Sequence, residues 1–390
     1  MKILRCMLCV IALGVIVLLT PSRTLAEDPA TAADQLSTAE HVRKSNWWPT
    51  KGTPARDAYA GPQACARCHS SFAVTQKDTL MGRDSTRAAD SELLNQNRAI
   101  HFQSGPYNYE ITHTAGGKTY SVSDGTRTIS ETLDWAVGSG NRGQSYLFRY
   151  KGTFYEAHLS FYRSTSNFDI TPDHSRLPAG SLEKAIGRPI LSDEATKCFS
   201  CHTTASTVGG QFEPAHSIPG ITCEACHGPG AVHAETEKAG IDAGVGSVLN
   251  PKHFTPAESV DFCGSCHRTW WDVVLGGTAG AGVANVRFPI YRLEKSRCWG
   301  KGDSRITCVA CHDPHLPLVK EASGYDRQCL SCHNAGMDAK LTREHPGKTC
   351  PVGKKDCATC HMPKYDVTDM QSTFTDHMIR VVRPNAPFPD

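Results

Sequence analysis

The chain has 390 residues, with 41 Lys and Arg against 39 Asp and Glu, and it carries 18 cysteines and 18 histidines. A formal charge of +2 excludes a polyanion binder, which needs a strong basic excess. The length suffices for two or three domains. So many cysteines demand a common chemical use, which their spacing has to supply.

Residues 1–26 read as an export signal: Lys2 and Arg5 form a basic start, Met7 to Leu19 is an apolar run, and Thr24-Leu25-Ala26 offers a cleavage site. The run is shorter than the roughly 18–20 residues that cross a bilayer, so cleavage is favoured over an uncleaved anchor. The expected location is therefore periplasmic or otherwise exported, with no transmembrane anchor after cleavage. Removing the signal takes away three basic residues and no acidic one, which moves the formal charge from +2 to −1. Residues 27–60, rich in Ala, Thr, Asp and Pro, read as a flexible leader.

The first chemistry-bearing element is a Cys-x-x-Cys-His pattern formed by Cys65, Cys68 and His69. Thr79-Leu-Met-Gly-Arg83 follows it. Beyond that, Tyr107, Tyr109 and Ile111 alternate with polar residues up to Gly116-Gly117, and Tyr120 and Val122 resume the alternation. Tyr146, Phe148 and Tyr150 alternate before Lys151-Gly152, with Tyr155, Ala157, Leu159 and Phe161 after it. This pattern predicts two antiparallel hairpins, a small β section within residues 61–190. Gly138-Ser-Gly140 reads as a turn, since no Lys-Ser/Thr follows to make a phosphate loop.

The Cys-x-x-Cys-His pattern then recurs six times. The second motif is Cys198, Cys201 and His202, the third Cys223, Cys226 and His227, and the fourth Cys263, Cys266 and His267. The fifth is Cys308, Cys311 and His312, the sixth Cys329, Cys332 and His333, and the seventh Cys357, Cys360 and His361. Two thiols three positions apart can form thioethers with the two vinyl groups on one porphyrin edge. The histidine beside the second thiol then ligates the iron. Zinc would give no reason for His always to be adjacent, and a dithiol oxidoreductase needs one such motif rather than seven. The pattern predicts seven covalently bound haem c groups.

The six later motifs fall within residues 198–361, about 27 residues each, too few to wrap a conventional core around every cofactor. The expected fold is therefore a multihaem cytochrome c, with a mainly α and irregular haem-packed core over residues 191–377. Residues 378–390 read as an exposed tail. Trp270 and Trp271 are expected to pack on a porphyrin face. Of the 16 cysteines beyond the signal, Cys298 and Cys350 remain, and in an exported chain they read as one disulfide.

Eleven histidines lie outside the motifs: His41, His101, His113, His158, His174, His216, His233, His253, His315, His345 and His377. They are enough to supply a sixth ligand to every iron. His233 and His315 each follow a motif histidine after a Pro-containing turn, which suits reaching a neighbouring iron.

The segments Ile221-Thr-Cys-Glu-Ala-Cys-His-Gly-Pro-Gly230, Ile306-Thr-Cys-Val-Ala-Cys-His-Asp-Pro-His315 and Asp356-Cys-Ala-Thr-Cys-His-Met-Pro-Lys364 resemble a large multihaem cytochrome family. That family is related to the tetrahaem cytochrome c of ammonia oxidation, and more distantly to hydroxylamine oxidoreductase and pentahaem nitrite reductase. Val137-Gly-Ser-Gly-Asn141, Ser145-Tyr-Leu147 and Phe374-Thr-Asp-His-Met-Ile-Arg380 are similar to it as well. The resemblance implies distal ligation by His101, His233, His315 and His377. At the first haem, Met81 reads as a packed side chain, with ligation as the alternative. No Cys-x-x-Cys-Lys occurs, which argues against a nitrite-reductase-type active haem. An electron carrier between a redox-protein donor and acceptor is therefore favoured, and no catalytic residue is assigned. The alternatives are an oxidoreductase acting on a small nitrogen or sulfur compound at one open iron, and a subunit of an extracellular filament.

Overall fold

The computed structural model describes residues 56–389, apart from 209–210, 243, 245–246, 297–298, 300–305, 334–349, 351 and 384. The export signal, most of the leader, His41, His345 and Cys298 lie outside the described residues. The proposed Cys298–Cys350 pairing therefore does too. Among the described residues, no helix is long and apolar enough to cross a membrane.

A ten-stranded antiparallel sheet fills residues 85–190; its main path runs from Gly187–Ile190 through Thr153–Ala157, Gly143–Tyr150, Thr128–Val137, Gly117–Ser123 and Tyr107–Thr114 to Ala99–Ser104, with Ser85–Arg87, Leu159–Tyr162 and Asn167–Ile170 off this path. Both hairpins expected from the alternation are present. β3 (Tyr107–Thr114) pairs with β4 (Gly117–Ser123), and β6 (Gly143–Tyr150) pairs with β7 (Thr153–Ala157). The second hairpin turns at Lys151 and Gly152, both at positive φ, the backbone that a tight two-residue hairpin turn requires. Tyr109, Ile111, Tyr120, Val122, Tyr146 and Phe148 are buried together as the alternation requires.

The expectation of a small β section needs correction, because the hairpins are the centre of a much larger sheet. β2 (Ala99–Ser104) and the first half of β5 (Thr128–Val137) expose most of their residues. Their apolar alternation is accordingly too sparse to read from sequence. Mid-way along β5 a bulge between Leu133 and Trp135 shifts the register. A bulge changes which face successive side chains take. Leu133 and Ala136 thus stay in the main core, while Trp135 joins Leu147, Phe154, Ile190 and Ala195 in a second cluster around Phe199. Phe199 lies between Cys198 and Cys201, with its ring edge-on to Trp135 at 5.1 Å. Burying it contributes roughly 1.5–3 kcal/mol, which ties the second motif to the sheet.

After residue 190 the elements are short helices and loops, closed by a hairpin of Lys364–Val367 with Ser372–Thr375. The longest described helix, Pro256–His267, spans 12 residues and starts on a Thr255/Glu258 capping box. Polypeptide core is thin in this half: one cluster consists of Val260, Ile290 and Leu293. Beside the motifs, Phe72, Val74, Val309, Leu316 and Leu318 are exposed.

Candidate functional site

Helix geometry presents each thiol pair. Five described helices end on a motif histidine: Ser192–His202, Cys223–His227, Pro256–His267, Asp326–His333 and Cys357–His361. Cys308–Cys311 ends one residue before His312, and Pro62–Ala66 carries Cys65. Residues three apart share a helix face, so one turn aims both sulfurs the same way. The second thiols of four motifs lie toward the surface. Cys68, Cys311 and Cys360 are exposed, and Cys332 is half-buried with its sulfur 3.8 Å from the Ser331 hydroxyl. Each is thus within reach of a porphyrin edge.

Two of the non-motif histidines meet motif histidines. The His227 and His315 rings have centroids 6.2 Å apart, and the His312 and His377 rings 6.3 Å. An imidazole nitrogen sits about 2.0 Å from its metal, so two axial rings on one iron hold their centres about 6.2 Å apart. The hydrogen bonds also leave the correct nitrogen available. Nδ1 of His227 donates to the Leu249 carbonyl at 2.8 Å, Nδ1 of His377 to that of Thr375 at 3.1 Å, and Nδ1 of His361 to that of Arg380 at 2.9 Å. A carbonyl only accepts, so Nδ1 carries the proton and Nε2 keeps its lone pair. Burial, with His312 opposite, pushes His377 down to about 4 and keeps it neutral. Burial likewise lowers His227, His267 and His312. A neutral, oriented imidazole is what haem iron binds. With the exposed apolar side chains flanking the motifs, the residues fit haem.

The other candidates divide. His233 is half-buried, with Nδ1 3.0 Å from the Ser247 hydroxyl. His101 lies on β2, the sheet's outer strand, with its side chain 71% exposed and Nδ1 3.4 Å from Glu110. None of its described contacts is with a motif histidine. His113 bonds the Leu94 carbonyl and Lys118, while His158 and His174 face each other at 3.3 Å between Nδ1 atoms. His113, His158 and His174 are thus engaged on or beside the sheet, and among the described residues His216, His233, His253, His315 and His377 lie outside it. The segment around Met81 acts as a bracket. The Met81 carbonyl accepts from Ile221 N at 2.9 Å, and Ser85 Oγ donates to the His202 carbonyl and accepts from Gly220 N.

Contacts link the motifs to one another. The first motif meets the third at Glu224. The Glu224 carboxylate, buried between them, accepts from Ala60 N (2.7 Å), Gly61 N (2.8 Å) and Gly230 N (2.9 Å). The third motif meets the segment after the fifth through the His227 and His315 rings. The second motif joins the third by pairing Thr203–Thr204 with Ile218–Pro219, and it also packs on the fourth. There Cys201 Sγ donates to Ser265 O at 3.7 Å and Cys266 Sγ to Ser200 O at 4.0 Å. Cys263 and Cys308 pack on the same Val260, Ile290 and Leu293 cluster, which joins the fourth motif to the fifth, and the His312 ring lies edge-on to Tyr325 at 5.4 Å, just before the sixth motif's helix. Asp326 closes the run by accepting from Asp356 N (2.7 Å) and Cys357 N (2.8 Å), which seats the seventh motif on the sixth.

Near the fourth and fifth motifs, burial and Asp261 raise Glu294 from 4.5 to about 7. An acid raised by folding binds more protons folded than unfolded, so stability falls as pH rises between about 4.5 and 7. Glu294→Gln is expected to flatten that decline in thermal-unfolding midpoints measured across this window. An unchanged slope would contradict it.

Sequence reasoning missed Asp84, Glu224, Asp326 and Asp376, the carboxylates that fasten the motifs. Glu224 and Asp326 were visible as acids in or beside Cys-x-x-Cys-His. Their partners, 163 and 31 residues away along the chain, were not.

Residues 163–228, which hold the second and third motifs, match the family model described as cytochrome c554 and c-prime. The multiheme cytochrome MtrA of Shewanella baltica (strain OS185) is 25% identical over 228 residues, 53% of this chain and 57% of that protein. The high-molecular-weight cytochrome c of Nitratidesulfovibrio vulgaris is 25% identical over 176 residues, 43% of this chain and 25% of its own length. The chain thus spans little more than half of one relative and a quarter of the other. The crystal structure of the outer cell wall cytochrome OcwA aligns over 83% of this chain and 80% of its own, at 16% identity and a TM-score of 0.46, too low to carry an argument. With its repeated Cys-x-x-Cys-His motifs, the chain is thus similar to multihaem c-type cytochromes, over residues 163–228 to the family model and over about half of its length to the two relatives.

Proposed function

We propose that the protein is an exported heptahaem electron carrier working between a redox-protein donor and acceptor, with haem c attached at all seven motifs. The last two attachments in this reading run through Cys329 and Cys332 and through Cys357 and Cys360. The observation that carries the reading is the run of contacts that links the motifs from the first to the seventh. Each haem, when bound, takes up and releases one electron at its iron. The chain's task is to hold seven such centres as close neighbours. His69, His202, His227, His267, His312, His333 and His361 are the proximal ligands in this reading. His315 serves opposite His227, His377 opposite His312, and His233 is a third distal ligand. His101, its side chain 71% exposed on the sheet's outer strand, is a fourth distal ligand in this reading. Export rests on the basic and apolar pattern of residues 1–26. The finer kinship to the tetrahaem cytochrome c of ammonia oxidation, and more distantly to hydroxylamine oxidoreductase and pentahaem nitrite reductase, rests on the segments around the third, fifth and seventh motifs.

Electron paramagnetic resonance of the oxidised holoprotein tests the ligand set. Low-spin signals are expected to dominate, and His315→Ala is expected to convert one centre to high spin. A high-spin centre already present in the unmodified protein would favour the oxidoreductase reading.

A further inference from the structure

The second motif's histidine has an unusual neighbour. Nδ1 of His202 lies 2.7 Å from Oδ2 of Asp84, at an angle short of a straight hydrogen bond. The corresponding nitrogens of His227 and His361 meet neutral backbone carbonyls. Asp84 is held in place independently of His202. Its carbonyl accepts from Gly138 N at 2.6 Å and its amide donates to the Met81 carbonyl at 3.1 Å. The next residue, Ser85, is buried and bonded to both the His202 carbonyl and Gly220 N. The carboxylate is therefore delivered to His202 by the same bracket that joins the second and third motifs. It also acts electrostatically on His267, the histidine of the fourth motif, on which the second motif packs.

A carboxylate beside the outer nitrogen of a metal-bound imidazole fixes its orientation and makes it a stronger donor. A stronger donor and a nearby negative charge both favour the more positive ferric state, and outer-sphere partners of this kind set haem potential. We propose that Asp84 is a positioning residue that gives the iron held by His202 a lower reduction potential than the irons held by His227 and His361. The inference rests on haem attachment at the second motif. It makes that motif, which touches both the third and the fourth, the low-potential member of the array.

The test is a potentiometric titration followed by optical and paramagnetic resonance spectra, with haem content fixed beforehand by intact mass. Cys198→Ala/Cys201→Ala removes the second attachment site and should delete one step lying below those of the third and seventh motifs. Asp84→Asn should move that same step upward, shift a second step less, and leave the other five in place. Asp84→Glu should keep the step low. The proposal is overturned if Asp84→Asn carries a full haem complement and no step moves, or if all steps move alike. Should Asp84→Asn fail to mature, the cysteine variant decides alone, because loss of a high-potential step contradicts the assignment. Loss of no haem mass in the cysteine variant would instead refute attachment at that motif, a separate failure.

Discussion

Replacing Asp376 by alanine is expected to destabilise the protein by about 3–5 kcal/mol, the usual result of leaving one member of a buried ion pair without its partner. The same change should turn the centre held by His312 from low to high spin. Asp376 and Arg292 are both fully buried, and Arg292 grips the carboxylate with two bonds of 2.8 and 2.9 Å. Arg380 and the Met378 amide bind the same carboxylate, and Arg292 also donates to the Pro389 carbonyl. His377 is the next residue, so this cluster fixes the backbone from which its ring faces His312. Breaking it leaves Arg292 charged and buried and lets the ligand swing away. Thermal unfolding measures the first effect and paramagnetic resonance the second. A variant with normal stability, or one that stays fully low spin, would show that the cluster does not hold the ligand.

Glu224→Ala should have a comparable effect for a different reason. Its carboxylate, 2% exposed, receives three backbone N–H donors from two separate stretches of chain. Hydrogen bonds to a charged group contribute about 1.5–3 kcal/mol each. Some of the freed amides can reach water, so a net loss of about 3–5 kcal/mol is expected. The loss should fall on the junction of the first and third motifs, reducing haem incorporation at the first before the others. Glu224→Gln, which keeps an accepting oxygen, should be intermediate. Equal stability of the alanine variant would mean that the junction is held elsewhere.

The parts of this architecture that were legible in the sequence are those decided by local geometry. Cys-x-x-Cys-His needs only one helical turn, and Tyr107 to Val122 needs only the period of a strand. His315 and His377 stood out because each belongs to a segment with a family-like pattern. Partnerships set by long-range packing were hidden. Nothing in the 25 residues between the motif starts at Cys198 and Cys223 says that the second motif also packs on the fourth. The reason lies in the bulge near Trp135, which gathers Phe199 onto the sheet and so commits the second motif's helix to one direction. His101, whose family-like position suggests a ligand, sits on the edge strand with its ring toward Glu110 and solvent. Asp84 was equally invisible, because a short loop acid acquires meaning only from the nitrogen it meets.

The most direct measurement is the intact mass of the mature, denatured protein after expression with a working cytochrome-maturation system. Covalent attachment at every paired-cysteine motif predicts the polypeptide mass plus seven haem groups, persisting after acid extraction. Six or fewer groups in the unmodified protein, or haem that acid removes, would contradict it.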